Sequence, residues 1–237
     1  MSDLLHGILI VVFYFILAAS TAFICRVLFT IPDEIFRKTL HFILLASYIP
    51  FVFAFENWQN SAMAAVALEI IIYPILACAE RLKRYSSFLT ERKGGEFKQS
   101  LLLAFTMLAV CVCVCWGWLG DRYLVLACMY AWGVGDAFAA LCGKAFGRHK
   151  IVLAHTGAVK SVEGSLAMFI TSALSVLIIL LLRGGLNPAG YILIPLAGSA
   201  ACTLVELFTP NGLDTITCPT AAMFVILPLT AVFGGFA

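Results

Sequence analysis

Charge is what this chain has least of. Aspartate, glutamate, lysine and arginine make up 12% of its 237 residues, against about 25% in an ordinary soluble domain. The net charge of +2 is too small to suggest nucleic-acid binding. Histidine occurs four times beside nine cysteines, and no histidine stands at zinc-type spacing from them. Cys111, Cys113 and Cys115 would spread around a helix axis rather than form one metal face, so they read as buried free thiols packing as small hydrophobes. There is no low-complexity tract, and no internal repeat of the kind that builds the paired halves of a carrier. A cleavable signal sequence is not expected either. The opening apolar run, residues 4–29, is too long for the core of one, and no lysine or arginine precedes it.

What the chain has is apolar length. Hydrophobic residues make up 62% of it, and the mean hydropathy is +1.03. A membrane span needs about 20 such residues. Eight segments qualify, at 4–30, 39–56, 61–79, 100–119, 122–142, 163–183, 189–207 and 217–235. The expectation is therefore an all-α, polytopic transmembrane bundle forming one domain, residues 1–237. The third segment holds Pro74 and Glu69, and should face other helices rather than lipid. Glu69 reads equally well as a structural hydrogen-bonding group and as a functional one. The loop over residues 80–98 reads as a charged surface connection able to touch lipid phosphates.

Cations orient the bundle. Three of the lysines and arginines fall in or beside the first connection, six in the third and four in the fifth; Arg122 and Arg183 alone fall on the opposite side. Cytoplasmic connections carry the excess of lysine and arginine. The functional loops are thus expected in the cytoplasm, where nucleoside triphosphates are, and both termini outside.

Against this background a few polar clusters stand out. A carboxylate kept inside a membrane span is expensive, which makes it a functional candidate by default. Asp136 is such a residue, near the end of the fifth span. It is followed by Gly143, Lys144, Gly147, Arg148 and Lys150 and preceded by Gly135. Glycines allow a backbone to approach a ligand closely, and lysine and arginine neutralise phosphate. The same small residues also suit a helix-packing face. Lys160-Ser161-Val162-Glu163-Gly164 leads into the sixth span. It can be a phosphate site at a helix N-terminus or a plain helix start capped by Ser161. Glu206 and Asp214 flank a Pro-Asn-Gly turn that contains no cation, which suits shared metal ligation with Asp136 or solvated loop charges. Arg37, Lys38 and His41 open the second span at helical spacing, as a phosphate or headgroup contact or as interfacial snorkelling cations.

These pieces, in this order, resemble the polyprenol kinase family of membrane enzymes: dolichol kinase, phytol kinase and CTP-dependent diacylglycerol kinase. The phosphatidate cytidylyltransferases are more distant. The resemblance rests on Arg37-Lys38 with His41, on Gly135-Asp136-Ala137 with Ala139, Gly143-Lys144 and Phe146-Gly147, on Lys160-Ser161-Val162-Glu163-Gly164-Ser165, and on Glu206 with Gly212-Leu213-Asp214 and Pro219. It covers residues 37 to 219. It implies transfer of the γ-phosphate of a nucleoside triphosphate, most often CTP, to a lipid alcohol with a divalent metal. It also implies that residues 136–164 form the nucleotide-binding stretch. Three features depart from the family pattern. Val159-Lys160-Ser161 stands where two lysines and a threonine are common, and Asp214-Thr215 where Asp-Asn is usual. The late Pro-Gly-His-Gly-Gly signature of the cytidylyltransferases is missing, which favours a kinase over a CDP-lipid synthase.

The expected mechanism follows. Asp136 with Glu206 or Asp214 binds Mg2+. Gly135, Gly143, Gly147 and Gly164 permit close approach of the triphosphate. Lys144, Arg148, Lys150, Lys160, Ser161, Arg37 and Lys38 contact phosphate. Asp214, Glu163 or His41 accepts the proton of the lipid hydroxyl, and the residues do not choose among them. The expected partners are CTP or ATP, a lipid alcohol and membrane lipids, with a homodimer left open and no nucleic acid. The competing readings are a CTP-dependent cytidylyltransferase and a lipid or nucleotide transporter without chemistry.

Overall fold

Inside a bilayer every backbone N–H and C=O must be paired within the protein, and a helix achieves this within one segment. The computed structural model of the chain describes residues 2–81, 95–152, 159–210 and 212–236. Its helices are α1 (Asp3–Leu28), α2 (Asp33–Phe53), α3 (Trp58–Ala79), α4 (Glu96–Cys111), α5 (Arg122–Phe146), α6 (Val162–Arg183), α7 (Gly190–Phe208) and α8 (Asp214–Phe233). A π-helical stretch, Val112–Trp118, continues α4. Among the described residues, eight helical spans are long and apolar enough to cross a membrane, as a multi-pass membrane protein requires.

The spans lie where the apolar runs place them, with ends that differ by up to six residues. Helix α2 begins at Asp33 rather than 39, α5 continues to Phe146 rather than 142, and α8 begins at Asp214 rather than 217. Lys144 and Asp214 thus belong to helix ends rather than to connections. A second difference is a β-hairpin between α5 and α6, formed by β1 (Lys150–Val152) and β2 (Val159–Ser161). The strands are antiparallel, with Lys150 opposite Ser161 and Ile151 opposite Lys160. Of the charged loop expected over residues 80–98, residues 82–94 lie outside the described residues.

The chain divides into two compact units, Met1–Val112 and Cys113–Ala237. In the first, α1 to α4 pack around aromatic rings. Phe105 of α4 meets Phe15 of α1 edge-on at 6.2 Å and Phe51 of α2 at 5.8 Å. Tyr14 Oη donates to the Ile43 carbonyl at 2.7 Å. Glu69 accepts from Thr106 Oγ1 at 3.2 and 3.1 Å, which gives this membrane carboxylate a partner on the neighbouring helix. At the α1–α2 turn, Arg26 pairs with Asp33 at 2.9 Å and lies over the Phe36 ring at 4.4 Å.

In the second unit α5 is the most buried span, and its main neighbour is α6. Ser172 of α6 donates to the Ala131 carbonyl of α5 at 2.5 Å. Helices α7 and α8 approach at Gly198, where a Cβ would lie 2.8 Å from Ile226 Cγ1. They also meet at Cys202 and Cys218, each thiol directed at the other residue's carbonyl. At one end of the unit Asp121 caps α5 through the Tyr123 N–H and forms a buried ion pair with Arg183. Arg183 also donates to the Gly235 carbonyl at 2.6 Å, so this end joins the start of α5 to the ends of α6 and α8. The opposite end gathers the close of α5, the hairpin, the start of α6, the close of α7 and the start of α8.

Candidate functional site

The polar cluster at that second end is built from one turn of α5. Trp132 and Asp136 are four residues apart and so lie on one face of the helix. Trp132 is 3% exposed, and its indole N–H donates to Asp214 Oδ2 at 3.0 Å. A buried indole N–H needs an acceptor, and here the acceptor is the first residue of α8. The other oxygen, Asp214 Oδ1, accepts from the Gly212 N–H at 3.1 Å. Asp136, half-buried, acts through its charge on both Asp214 and Glu206. Three carboxylates from three helices therefore share one small region, although like charges repel.

Lys160 balances part of this charge directly. Lys160 on β2 forms an ion pair with Glu206 Oε1 at 2.9 Å, with the two side chains only 12% and 15% exposed. Its ammonium also donates to the Glu206 carbonyl and, at 3.4 Å, to the Thr209 carbonyl. A helix end leaves carbonyls unsatisfied, and Lys160 supplies the donors that α7 lacks there. Lys160, expected to hold phosphate, is thus committed to Glu206 and to the end of α7.

The glycines and Ser161 define the α5–α6 contact. A Cβ at Gly164 would lie 2.9 Å from the Ala139 carbonyl oxygen and 3.3 Å from Gly143 Cα. A Cβ at Gly147 would collide with the Gly143 carbonyl, and one at Gly135 would collide with Ser172 Oγ. Ser161 Oγ accepts from the Gly164 N–H at 3.1 Å and caps α6. These positions are occupied by helix-on-helix packing, the alternative already weighed against phosphate binding.

Glu163, in the first turn of α6, is engaged with His149. Its oxygens accept from the His149 backbone N–H at 3.2 and 3.3 Å, and Oε1 lies 2.7 Å from Nδ1 of the ring. Lys144, Arg148 and Lys150 are exposed beside it. Arg37, Lys38 and His41 stand on α2 of the first unit. There Arg37 pairs with Glu34 at 2.5 Å, Lys38 is buried and His41 stands edge-on to Phe42.

Among the described residues, no group of three or more histidine, cysteine, aspartate or glutamate side chains is arranged as a metal cage. Mg2+ does not ask for one. It is usually held by one or two carboxylates, with water and substrate phosphate completing the shell. Asp136 and Asp214 are hard oxygen donors of that type, and Glu206 is tied to Lys160, so the donor set fits Mg2+. All nine cysteines are free thiols; Cys111 and Cys115 are buried as expected, whereas Cys113, on the other side of the helix, is exposed rather than buried. Comparison with protein-family models, with curated proteins and with solved structures finds no match.

Trp132 and His149 carry polar contacts that residue type alone did not announce. A tryptophan in an apolar span reads as core, and only its helical spacing to Asp136 hinted at more.

Proposed function

We propose that this chain is a membrane lipid kinase. It transfers the γ-phosphate of a nucleoside triphosphate, CTP before ATP, to the hydroxyl of a lipid alcohol such as a polyprenol or dolichol, phytol or diacylglycerol. The observation that carries the reading is the meeting of Asp136, Glu206 and Asp214 at one end of an apolar helical unit. Acids clustered this way cost stability unless a cation shares them. Asp136 and Asp214 would hold magnesium, which supplies neutralisation of the triphosphate charge. The remaining residues position the reactants. Trp132 fixes Asp214, Lys160 neutralises Glu206, and Lys144, Arg148 and Lys150 add positive charge at the same end. Phosphoryl transfer asks mainly for such positioning and electrostatic stabilisation. The apolar helix walls accept an isoprenoid or a diacyl tail alike, and the lysine and arginine bias supports a cytoplasm-facing site.

The test uses CTP labelled at either phosphate, with Mg2+, in phospholipid nanodiscs containing dioleoylglycerol, phytol or a polyprenol. Label from the γ-position is expected in the lipid. Label from the α-position would mark a cytidylyltransferase, and the absence of either label would leave the transporter reading. Asp136→Asn is expected to keep its thermal unfolding profile while turnover falls by about a thousandfold, a typical loss when a preorganised charge-stabilising group is removed.

A further inference from the structure

We infer that His149, oriented by Glu163, is the group that takes the proton from the lipid hydroxyl during phosphate transfer, a role that rests on the kinase reading. Sequence patterns offer Glu163 itself, Asp214 or His41 for this task. The geometry sets the two carboxylates apart from His149. Both Glu163 oxygens already face hydrogen-bond donors of His149, and the carboxylate is only 25% exposed. Asp214 accepts from Trp132 and from the Gly212 backbone. The His149 ring, in contrast, is 78% exposed. With Nδ1 2.7 Å from Glu163 Oε1, a carboxylate that can only accept, the neutral form of the ring has its hydrogen on Nδ1 and its lone pair on Nε2. A carboxylate that fixes the tautomer and stabilises the resulting imidazolium is the arrangement a histidine base requires.

The pair is also in the right part of the unit. Glu163 follows Lys160 by three residues, and Lys160 reaches Glu206. The His149 carbonyl accepts from the Val162 N–H at 3.0 Å, which ties the entry of the hairpin to the start of α6. In the step itself, the lipid hydroxyl oxygen bonds to Pγ and the bond from Pγ to the β–γ bridging oxygen breaks. The nucleoside diphosphate leaves with that electron pair, and the hydroxyl proton passes to His149 Nε2 and then to water.

A plain brace between the hairpin and α6 is the competing explanation, and the structure provides the means to separate the two. The backbone N–H of His149 donates to Glu163 whatever the side chain is, so His149→Ala removes the ring and leaves the brace. The experiment compares the unaltered protein, His149→Ala and Glu163→Gln in nanodiscs with Mg2+, CTP and dioleoylglycerol, phytol or a polyprenol. His149→Ala is expected to lower kcat by about a hundredfold or more. KM for CTP should stay within about twofold, and added imidazole should restore part of the rate. Glu163→Gln should lower kcat less, by about tenfold, because its amide oxygen still accepts from Nδ1. Retention of kcat within about threefold by His149→Ala overturns the dyad and leaves the kinase reading standing. A loss that tracks a lowered melting temperature and ignores imidazole also overturns it, in favour of the brace. No transfer by the unaltered protein to any of the three alcohols overturns the kinase reading and the dyad together.

Discussion

At the scale of single residues, the site depends on the neighbours that aim its acids. Trp132 holds Asp214 through one hydrogen bond; with Asp214 holding Mg2+ as proposed, such an outer contact would typically affect metal affinity by about 10- to 100-fold. Trp132→Phe keeps an aromatic ring and deletes the donor, together with the rest of the indole. The Mg2+ concentration giving half-maximal transfer should rise by about tenfold, with little change in rate at saturation. An unchanged Mg2+ requirement would reduce Trp132 to core packing. Asp136 and Asp214 were legible from the chain because an acid in or beside a hydrocarbon-like segment needs a reason. Trp132 and His149 were not: an indole in an apolar span and a histidine in a basic run look ordinary until their partners are located. Those partners lie 82 and 14 residues away.

At the scale of elements, the ends of helices decide what the polar residues do. Lys160 closes α7 and neutralises a largely buried Glu206. Removing one partner of a buried pair leaves an unbalanced charge and costs about 3–5 kcal/mol. Lys160→Met should therefore lower the melting temperature sharply, and adding Glu206→Gln should recover part of the loss. Thermal unfolding in one detergent measures both, and a neutral Lys160→Met would leave the lysine available for phosphate. The glycines yield an ordered series. Gly164→Ala meets a rigid backbone carbonyl at 2.9 Å, whereas the nearest atom to Gly143→Ala is the side-chain Ser161 Oγ, at 3.1 Å. Overpacking typically costs about 1–3 kcal/mol, so Gly164→Ala should unfold at the lower temperature of the two. The eight spans were readable because apolar runs of their length have one backbone solution in lipid. The hairpin was not, because its described strands are three residues each and its pairs alternate no clear apolar face. The end of α7 was unreadable for a related reason, since its cap comes from a strand 46 residues earlier.

At the scale of the whole molecule, the orientation we propose has both termini outside, since an even number of spans leaves them on one side and the charge bias gives the cytoplasm to the other. In a background with the exposed Cys78 and Cys113 replaced, Arg148→Cys should react with a membrane-impermeant maleimide only from the cytoplasmic side. Tags on both termini should be reached only from the other side. Labelling of Arg148→Cys from outside would reverse the orientation.

The buried Asp121–Arg183 pair at the far end of the second unit also sets a depth scale. Asp136 follows Asp121 by fifteen positions along α5, or roughly 22 Å of helix at about 1.5 Å per residue. With Asp121 at one boundary of a hydrocarbon layer about 30 Å thick, Asp136 lies roughly 8 Å short of the other. On that placement, hydrating Asp136 would require water below the headgroup plane. On the kinase reading proposed above, the phosphate donor would then descend to the acceptor, and a lipid with a small head and a deeply seated hydroxyl could react without first being lifted out of its leaflet.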